Sequence, residues 1–113
     1  MEVTRETLKK ARTYRRLLRR IEQEKAEIKK LGGPRLVTEL DRLAVEADRI
    51  GERVKIAETF INSVEDVYAR RIMRAKYLDG LTWRAIAMNV GGGNTADSVR
   101  MYVSRYLSHL KIK

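Results

Sequence analysis

The chain has 113 residues, of which 43% are hydrophobic and 35% are charged, and its formal net charge is +10 with a pI of about 10.2. This length suits one compact domain, or a small domain with an extended helical part, and this composition excludes a disordered or membrane-spanning chain. Zero cysteines and a single histidine, His109, exclude disulfides and an unaided zinc site, so no metal or other cofactor is expected. No apolar run is long enough to cross a bilayer and no signal-peptide core is present, so a cytoplasmic protein is expected.

Positive charge lies at the two ends of the chain. Residues 1–30 carry a net +6, residues 31–66 a net −3, and residues 67–113 a net +7. If the acidic middle segment pairs with the first segment, part of the N-terminal charge is neutralised within the protein. The C-terminal third keeps its excess, and it is therefore the better candidate for binding a polyanion such as double-stranded DNA.

The first predicted element is a long amphipathic helix. From Thr4 to Leu31 there is no glycine or proline, and Thr4 is a suitable N-cap. Apolar residues recur at spacings of three and four along one face, interrupted by Lys25, at Ala11, Tyr14, Leu18, Ile21 and Ile28. The other faces carry an arginine cluster, made of Arg12, Arg15, Arg16, Arg19 and Arg20. The simpler interpretation is a solvated face whose arginine stems cover the apolar seam, and contact with phosphate is the alternative.

Gly32-Gly33-Pro34 predicts a sharp reversal, because proline cannot continue the hydrogen-bond ladder of a helix. A second helix follows with an unbroken heptad-like pattern, at Leu36, Leu40, Leu43, Ala47, Ile50, Val54, Ala57, Ile61 and Val64. Two long helices joined by a short loop predict an antiparallel, coiled-coil-like hairpin. Because two helices leave much of each seam exposed, a homodimer is expected. Its predicted interface consists of Leu36, Leu40, Leu43, Ile50, Val54 and Ile61.

Polar residues near position 63 predict the end of the hairpin. Asn62-Ser63 resembles an N-cap and Glu65-Asp66 an acidic first turn, so a bend or restart is expected before a helix over residues 67–78. A continuous helix through this point is the alternative. The chain thus divides into residues 1–63, a helical hairpin that is expected to oligomerise, and residues 64–113, a separate C-terminal domain.

The capping residues and glycine turns of the last third of the chain predict a helix-turn-helix. One helix ends at Asp79-Gly80, the next begins after an N-cap at Thr82, and Gly91-Gly92-Gly93 separates it from a third that Asn94 or Thr95 caps. On the third helix a face for packing is formed by Val99, Tyr102, Val103, Tyr106 and Leu110. The opposite face carries Asp97, Met101, Ser104 and Ser108. The predicted fold is therefore all-α, a long antiparallel hairpin followed by a C-terminal three-helix helix-turn-helix domain.

These residues resemble a known family. The motif consists of Ala75, Tyr77, Gly80-Leu81-Thr82-Trp83, Ile86-Ala87, a glycine turn and Ser98-Val99-Arg100. It resembles the region-4 helix-turn-helix of sigma-70-type factors, and most of all the small prophage regulators of the ArpU and RinA kind. The resemblance covers about residues 67–110 and implies a phage-encoded transcriptional regulator with a helical N-terminal part. The turn here is longer than the family's usual Gly-x-Ser.

A recognition helix, here over about residues 95–109, enters the major groove with its N-terminal half and its outward face. The residues expected to contact bases are Asn94, Thr95, Asp97, Ser98, Met101 and Arg105. Arginines that flank this face are expected to bind phosphates, and these are Arg70, Arg71, Arg84 and Arg100.

No catalytic constellation emerges, because the carboxylates lie beside lysine and arginine on polar helix faces, so an enzyme is not expected. The favoured hypothesis is a dimeric, sequence-specific transcriptional regulator that binds double-stranded DNA. One alternative is a DNA-packaging subunit like the small terminase, which a ring of eight or more copies would support. Another is a protein that engages RNA polymerase or a sigma factor, for which DNA binding would be weak and indifferent to sequence.

Overall fold

A computed structural model describes residues 3–33 and 35–113, except for the side chains of residues 35 and 36. The helices are α1 (Arg5–Leu31), α2 (Arg35–Ser63), α3 (Val67–Met73), α4 (Trp83–Val90) and α5 (Ala96–His109). The predicted all-α fold is confirmed, since α1 and α2 pack as a long hairpin that the shorter helices follow. No helix in the described ranges is long and apolar enough to cross a membrane.

The ends of α1 are set by local hydrogen bonds. Thr4 is the N-cap, as predicted, and its Oγ1 accepts a hydrogen bond from the Thr7 amide at 3.2 Å. At the other end Gly32 has a φ of 66° and donates from its N–H to the Ile28 carbonyl at 3.4 Å. Glycine adopts this left-handed conformation without a steric penalty, so the helix stops there. Pro34, which also entered the prediction, lies outside the described residues.

Two apolar clusters stabilise the molecule. The smaller one lies far along the hairpin, where Ile21 of α1 packs with Leu43 and Ala47 of α2. The larger one joins the base of the hairpin to the shorter helices. The hairpin contributes Leu8, Ala11, Ala57 and Ile61. The rest of the chain contributes Val64, Ala69, Ile72, Met73, Tyr77, Leu78, Ile86, Ala87, Val99, Val103 and Leu107. The hairpin and the C-terminal helices therefore share one core.

The predicted break after α2 is observed, but the N-cap of the following helix, α3, is not the predicted residue. Asp66, rather than Asn62-Ser63, is the N-cap of α3, and its Oδ1 accepts a hydrogen bond from the Ala69 amide at 2.9 Å. The α3 helix then widens into a π-helical turn, Arg74–Leu78. Through this turn the consecutive residues Tyr77 and Leu78 are both buried.

The buried face of α5 also needs a correction. Val99 and Val103 are buried as predicted, but the third buried residue is Leu107, which is 1% exposed. Tyr102 and Leu110, which were predicted to pack inward, are 38% and 40% exposed. The buried residues recur at intervals of four, so their stripe is rotated from the predicted one.

The serines of α5 have a partner that the sequence pattern did not indicate. Ser104 and Ser108 were assigned to the outward face, but their hydroxyls accept hydrogen bonds from the Arg5 guanidinium at 3.0 and 2.8 Å. The same guanidinium donates to the backbone carbonyls of Ser104 at 3.1 Å and Ile112 at 3.3 Å. The start of α1 is thereby fixed to the last turns of α5.

Candidate nucleic-acid interface

Three helices build the helix-turn-helix unit. The α4 helix packs against α5, and α3 packs against α5 as well. Thr82 is the N-cap of α4, as predicted, and its Oγ1 accepts a hydrogen bond from the Ala85 amide at 3.1 Å. In the following turn Gly91, Gly92 and Gly93 have φ values of 70°, 65° and 77°, a left-handed path that other residues adopt only with strain.

Three of the predicted base-contacting residues make hydrogen bonds within the protein at the start of α5. Thr95 Oγ1 accepts a hydrogen bond from the Ser98 amide at 3.1 Å, and Ser98 Oγ accepts one from the Thr95 amide at 2.8 Å. This reciprocal pair is a capping box, which satisfies two amides at the start of the helix. Asn94 Nδ2 donates to the Gly91 carbonyl at 2.8 Å. These side chains therefore make hydrogen bonds within the protein that order the first turn of α5.

The other three predicted base-contacting residues lie on the exposed side of α5. Asp97, Met101 and Arg105 follow one another at intervals of four, and all three are exposed. Asp97 Oδ1 accepts a hydrogen bond from Arg100 at 3.2 Å. Met101 and Arg105 make no hydrogen bond or ion pair with any described residue, so a thioether and a guanidinium are available on this surface.

Of the four predicted phosphate-binding arginines, two have a partner within the protein and two have none. Arg71 and Arg84 are exposed, and neither forms a hydrogen bond or an ion pair within the described part of the chain. Arg70 is half-buried and donates to the Val64 carbonyl at 2.9 Å, where it stabilises the link between α2 and α3. Arg100 pairs with Asp97. Only Arg71 and Arg84 can therefore bind an anion without giving up an internal interaction.

Aromatic residues connect α5 to the N-cap of α3. The Tyr68 and Tyr102 rings are in edge-to-face contact, with centroids 4.7 Å apart. The Tyr102 hydroxyl donates to Asp66 Oδ2 at 2.6 Å. This hydrogen bond lowers the pKa of Asp66 and raises the pKa of Tyr102, because it stabilises the carboxylate and the neutral phenol. Its position fixes the orientation of α5 relative to α3.

Trp83, the only tryptophan, occupies the first position of α4. Its side chain is partly buried and packs against the large core. The Lys76 ammonium lies 4.9 Å from the centroid of its ring, in cation–π contact. Trp83 therefore connects the π-helical turn to the start of α4.

The predicted dimer seam is largely occupied within a single chain. Leu43, Val54 and Ile61 are 2%, 6% and 0% exposed, because α1 covers the seam and the C-terminal helices cover its end. Leu40 and Ile50 are half-buried, and the Leu36 side chain lies outside the described residues. The homodimer stays a prediction, and Leu43, Val54 and Ile61 have little surface left to offer a second copy.

Residues 3–33 and 35–113 contain no group of three or more histidine, cysteine or acidic side chains arranged to hold a metal ion.

The chain matches no protein-family model, no curated protein and no solved structure. Function must therefore be argued from the geometry and chemistry of this surface.

Proposed function

We propose that this protein is a transcriptional regulator of the phage or prophage type that binds double-stranded DNA through α4 and α5, with the outward face of α5 in the major groove. One observation carries the proposal. Met101 and Arg105 lie free on the exposed side of α5, while Val99 and Val103 on its other side are buried in the core. A helix that packs against the core on one side and is exposed to solvent on the other has the geometry that groove recognition requires.

The chemistry of this face suits base edges. A guanidinium such as that of Arg105 can donate two hydrogen bonds to the O6 and N7 atoms of guanine. Met101 supplies an apolar surface that fits the methyl group of thymine. Asp97 can accept a hydrogen bond from the amino group of cytosine if Arg100 turns away to a phosphate.

Phosphate binding is assigned to Arg71 and Arg84, the unpaired members of the four predicted phosphate-binding arginines. Arg84 is the second residue of α4, at a helix N-terminus, where the free amides and the helix dipole also favour an anion. Arg71 lies on α3 and lines a groove with Asn89 and Val90 of α4. The net charge of +7 on residues 67–113 supports a polyanionic partner for this part of the chain.

In this proposal Asn94, Thr95 and Ser98 have a supporting role. Their hydrogen bonds fix the first turn of α5 and so set the position of Met101 and Arg105 relative to the groove. They contribute to specificity by orienting the helix, and base contacts fall mainly to residues further along it.

The decisive experiment is a selection of bound DNA from random duplexes at physiological salt, followed by affinity measurements on the selected duplex. Arg105→Ala should cost about 1–3 kcal/mol on that duplex and relax the preference at a single base pair. Arg84→Ala should weaken binding to all sequences alike and lower the slope of log K against log salt by about 0.9. Arg49→Ala, which removes an exposed arginine from the middle of α2, is the matched control.

Selection of no sequence, or wild-type affinity of Arg105→Ala for the selected duplex, would refute the role of α5 as a recognition helix. A protein-binding role, toward RNA polymerase or a sigma factor, would then be the better hypothesis.

We also expect a homodimer, which would place two α5 helices on two half-sites. Sedimentation tests this expectation, because a ring of eight or more copies would instead favour DNA packaging.

A further inference from the structure

A basic cleft lies between α1 and the turn that joins α3 to α4. It has a volume of about 420 Å³ and is open to solvent. The residues that line it are Arg12, Arg15, Arg16 and Arg19 of α1, and Leu78 and Asp79 of the turn. In the sequence these arginines fit a solvated helix face, but the fold places that face beside the start of the helix-turn-helix.

Among these arginines, Arg15 has a structural role, because it interacts with neighbouring groups of the protein. Its Nη1 donates to the Leu78 carbonyl at 2.8 Å, and the same atom lies 4.0 Å from Asp79 Oδ1. Its Nε lies 3.7 Å from Glu58 Oε1. Arg15 thus interacts with both neighbouring carboxylates and with a backbone carbonyl at the end of the π-helical turn, and it joins the hairpin to the turn.

The other three arginines have no such partners. Arg12, Arg16 and Arg19 are exposed, and none of them pairs with a carboxylate among the described residues. At 100° per residue they lie within about 60° of arc on α1, so their charges point the same way. Four guanidiniums against two carboxylates leave the cleft with a net positive charge. Like charges this close repel one another, and a bound anion would remove that cost.

The position of Arg12 connects the cleft to the proposed DNA-binding surface. Gly80 has a φ of 76°, and a Cβ built on it would overlap the Arg12 side chain. The absence of a side chain at Gly80 therefore allows Arg12 to lie directly across the turn. Thr82, the N-cap of α4, follows only two residues later, and Arg84 lies in the first turn of that helix.

We propose that this cleft binds the phosphodiester backbone of the same duplex that α5 contacts, so that α1 extends the DNA interface beyond the helix-turn-helix. This inference rests on the proposed function. Guanidinium groups bind phosphate oxygens in bidentate fashion, which suits them to this ligand. Arg12 to Arg19 spans about 10 Å along α1 at 1.5 Å per residue, and phosphates of one strand advance about 3.4 Å along the duplex axis. The three free guanidiniums therefore span about three phosphate steps, the length covered by four successive phosphates of one strand.

The test compares two double variants of equal charge. Arg16→Gln with Arg19→Gln removes two cations from the cleft, and Lys29→Gln with Lys30→Gln removes two exposed cations from the last turn of the same helix. Both variants lower the formal net charge from +10 to +8. Binding to a 30-base-pair duplex of mixed sequence is followed by fluorescence anisotropy over a series of salt concentrations. The cleft variant should lower the slope of log K against log salt by about 1.8, and the control variant should leave it nearly unchanged.

If the wild type binds duplex DNA, the outcomes separate this inference from the proposed function. Equal loss of slope in both double variants would show a general charge effect and overturn the cleft, while Arg84→Ala and Arg105→Ala would still report on α4 and α5. Loss of slope in the cleft variant alone, with Arg84→Ala and Arg105→Ala binding as the wild type does, would support phosphate binding by the cleft. It would overturn the role of α5, and with it the claim that the two surfaces share one duplex. Failure of the wild type to bind duplex DNA would overturn both.

Thermal unfolding of the cleft variant adds a second readout. Arg16 and Arg19 are exposed and unpaired, so their replacement should leave the protein folded and, by relieving repulsion, no less stable than the wild type at low salt. A clear loss of stability would show that these arginines serve the fold, and this would overturn the inference.

Discussion

Leu8→Ala tests whether the hairpin and the helix-turn-helix share one core. Leu8 lies in the first turn of α1, is 0% exposed, and belongs to the cluster that contains Ile86 of α4 and Val99 of α5. Truncation of a fully buried leucine removes its apolar surface from the core and leaves a cavity, at a cost of about 2–5 kcal/mol. Since a domain of this size has about 5–15 kcal/mol of unfolding free energy, the loss is a large fraction of the total.

The assay is urea unfolding followed by two probes. Trp83 fluorescence reports on α4, because it is the only tryptophan in the chain, and far-UV circular dichroism reports mainly on the long helices α1 and α2. With a urea m-value of about 1–3 kcal/mol/M, a loss of about 3 kcal/mol lowers the midpoint by about 1–3 M. Both probes should show the same shift, although the substitution and the tryptophan lie on different helices.

Leu17→Ala is the matched control, since it makes the same change on the same helix at a residue that is 38% exposed. It should cost less than about 1 kcal/mol. A Leu8→Ala variant whose fluorescence midpoint stays at the wild-type value while its dichroism midpoint falls would refute the shared core. An equal loss of unfolding free energy in Leu8→Ala and Leu17→Ala would show that the burial of Leu8 is not the cause of the loss.

Two further predictions concern the ends of helices. The lowered pKa of Asp66 contributes stability that is present above the unfolded value of 3.8 and is lost as the pH falls through the folded value. Tyr102→Phe should therefore lower the urea midpoint at neutral pH and have little effect once Asp66 is protonated, and Tyr106→Phe should show no such pH dependence. Thr95→Ala should cost about 0.5–2 kcal/mol in thermal or urea unfolding, because it removes the N-cap of α5, while Thr95→Ser should retain most of the stability. Unchanged stability of Thr95→Ala would show that its hydroxyl is not needed for capping.

The helices and most of their caps could be predicted because their signals are local. Thr4, Thr82 and the glycines at positions 32 and 91 act through bonds to residues three or four positions away, and such spacing is visible in the sequence. The contact between Arg5 and Ser104 spans 99 positions, and nothing in the periodicity of α1 or α5 indicates it. The packing of α1 against the helix-turn-helix was therefore missed, and with it the partners of Ser104 and Ser108.

The role of a predicted site residue is hardest to infer from sequence where two functions suit the same residue types. Asn, Thr and Ser at the start of a recognition helix suit both base contacts and helix capping. Thr95 and Ser98 accept hydrogen bonds from backbone amides at the start of α5, which need acceptors whether or not DNA is present. Asn94 instead donates to the Gly91 carbonyl in the preceding turn. Sequence alone identifies such residues but does not decide between these uses.

The shared core also bears on the proposed binding of one duplex by two separate surfaces. The proposed contacts from α1 and α5 would add most to affinity if the two helices are already held in a fixed relative position, since ordering them on binding would cost conformational entropy. The Arg5 hydrogen bonds fix α1 to the end of α5, and Arg15 fixes it to the turn before α4. These contacts lie on either side of Leu8, which is buried in the core between them. We therefore expect substitutions at Leu8 to weaken DNA binding as well as folding, with the loss in binding appearing at urea concentrations too low to unfold the wild type.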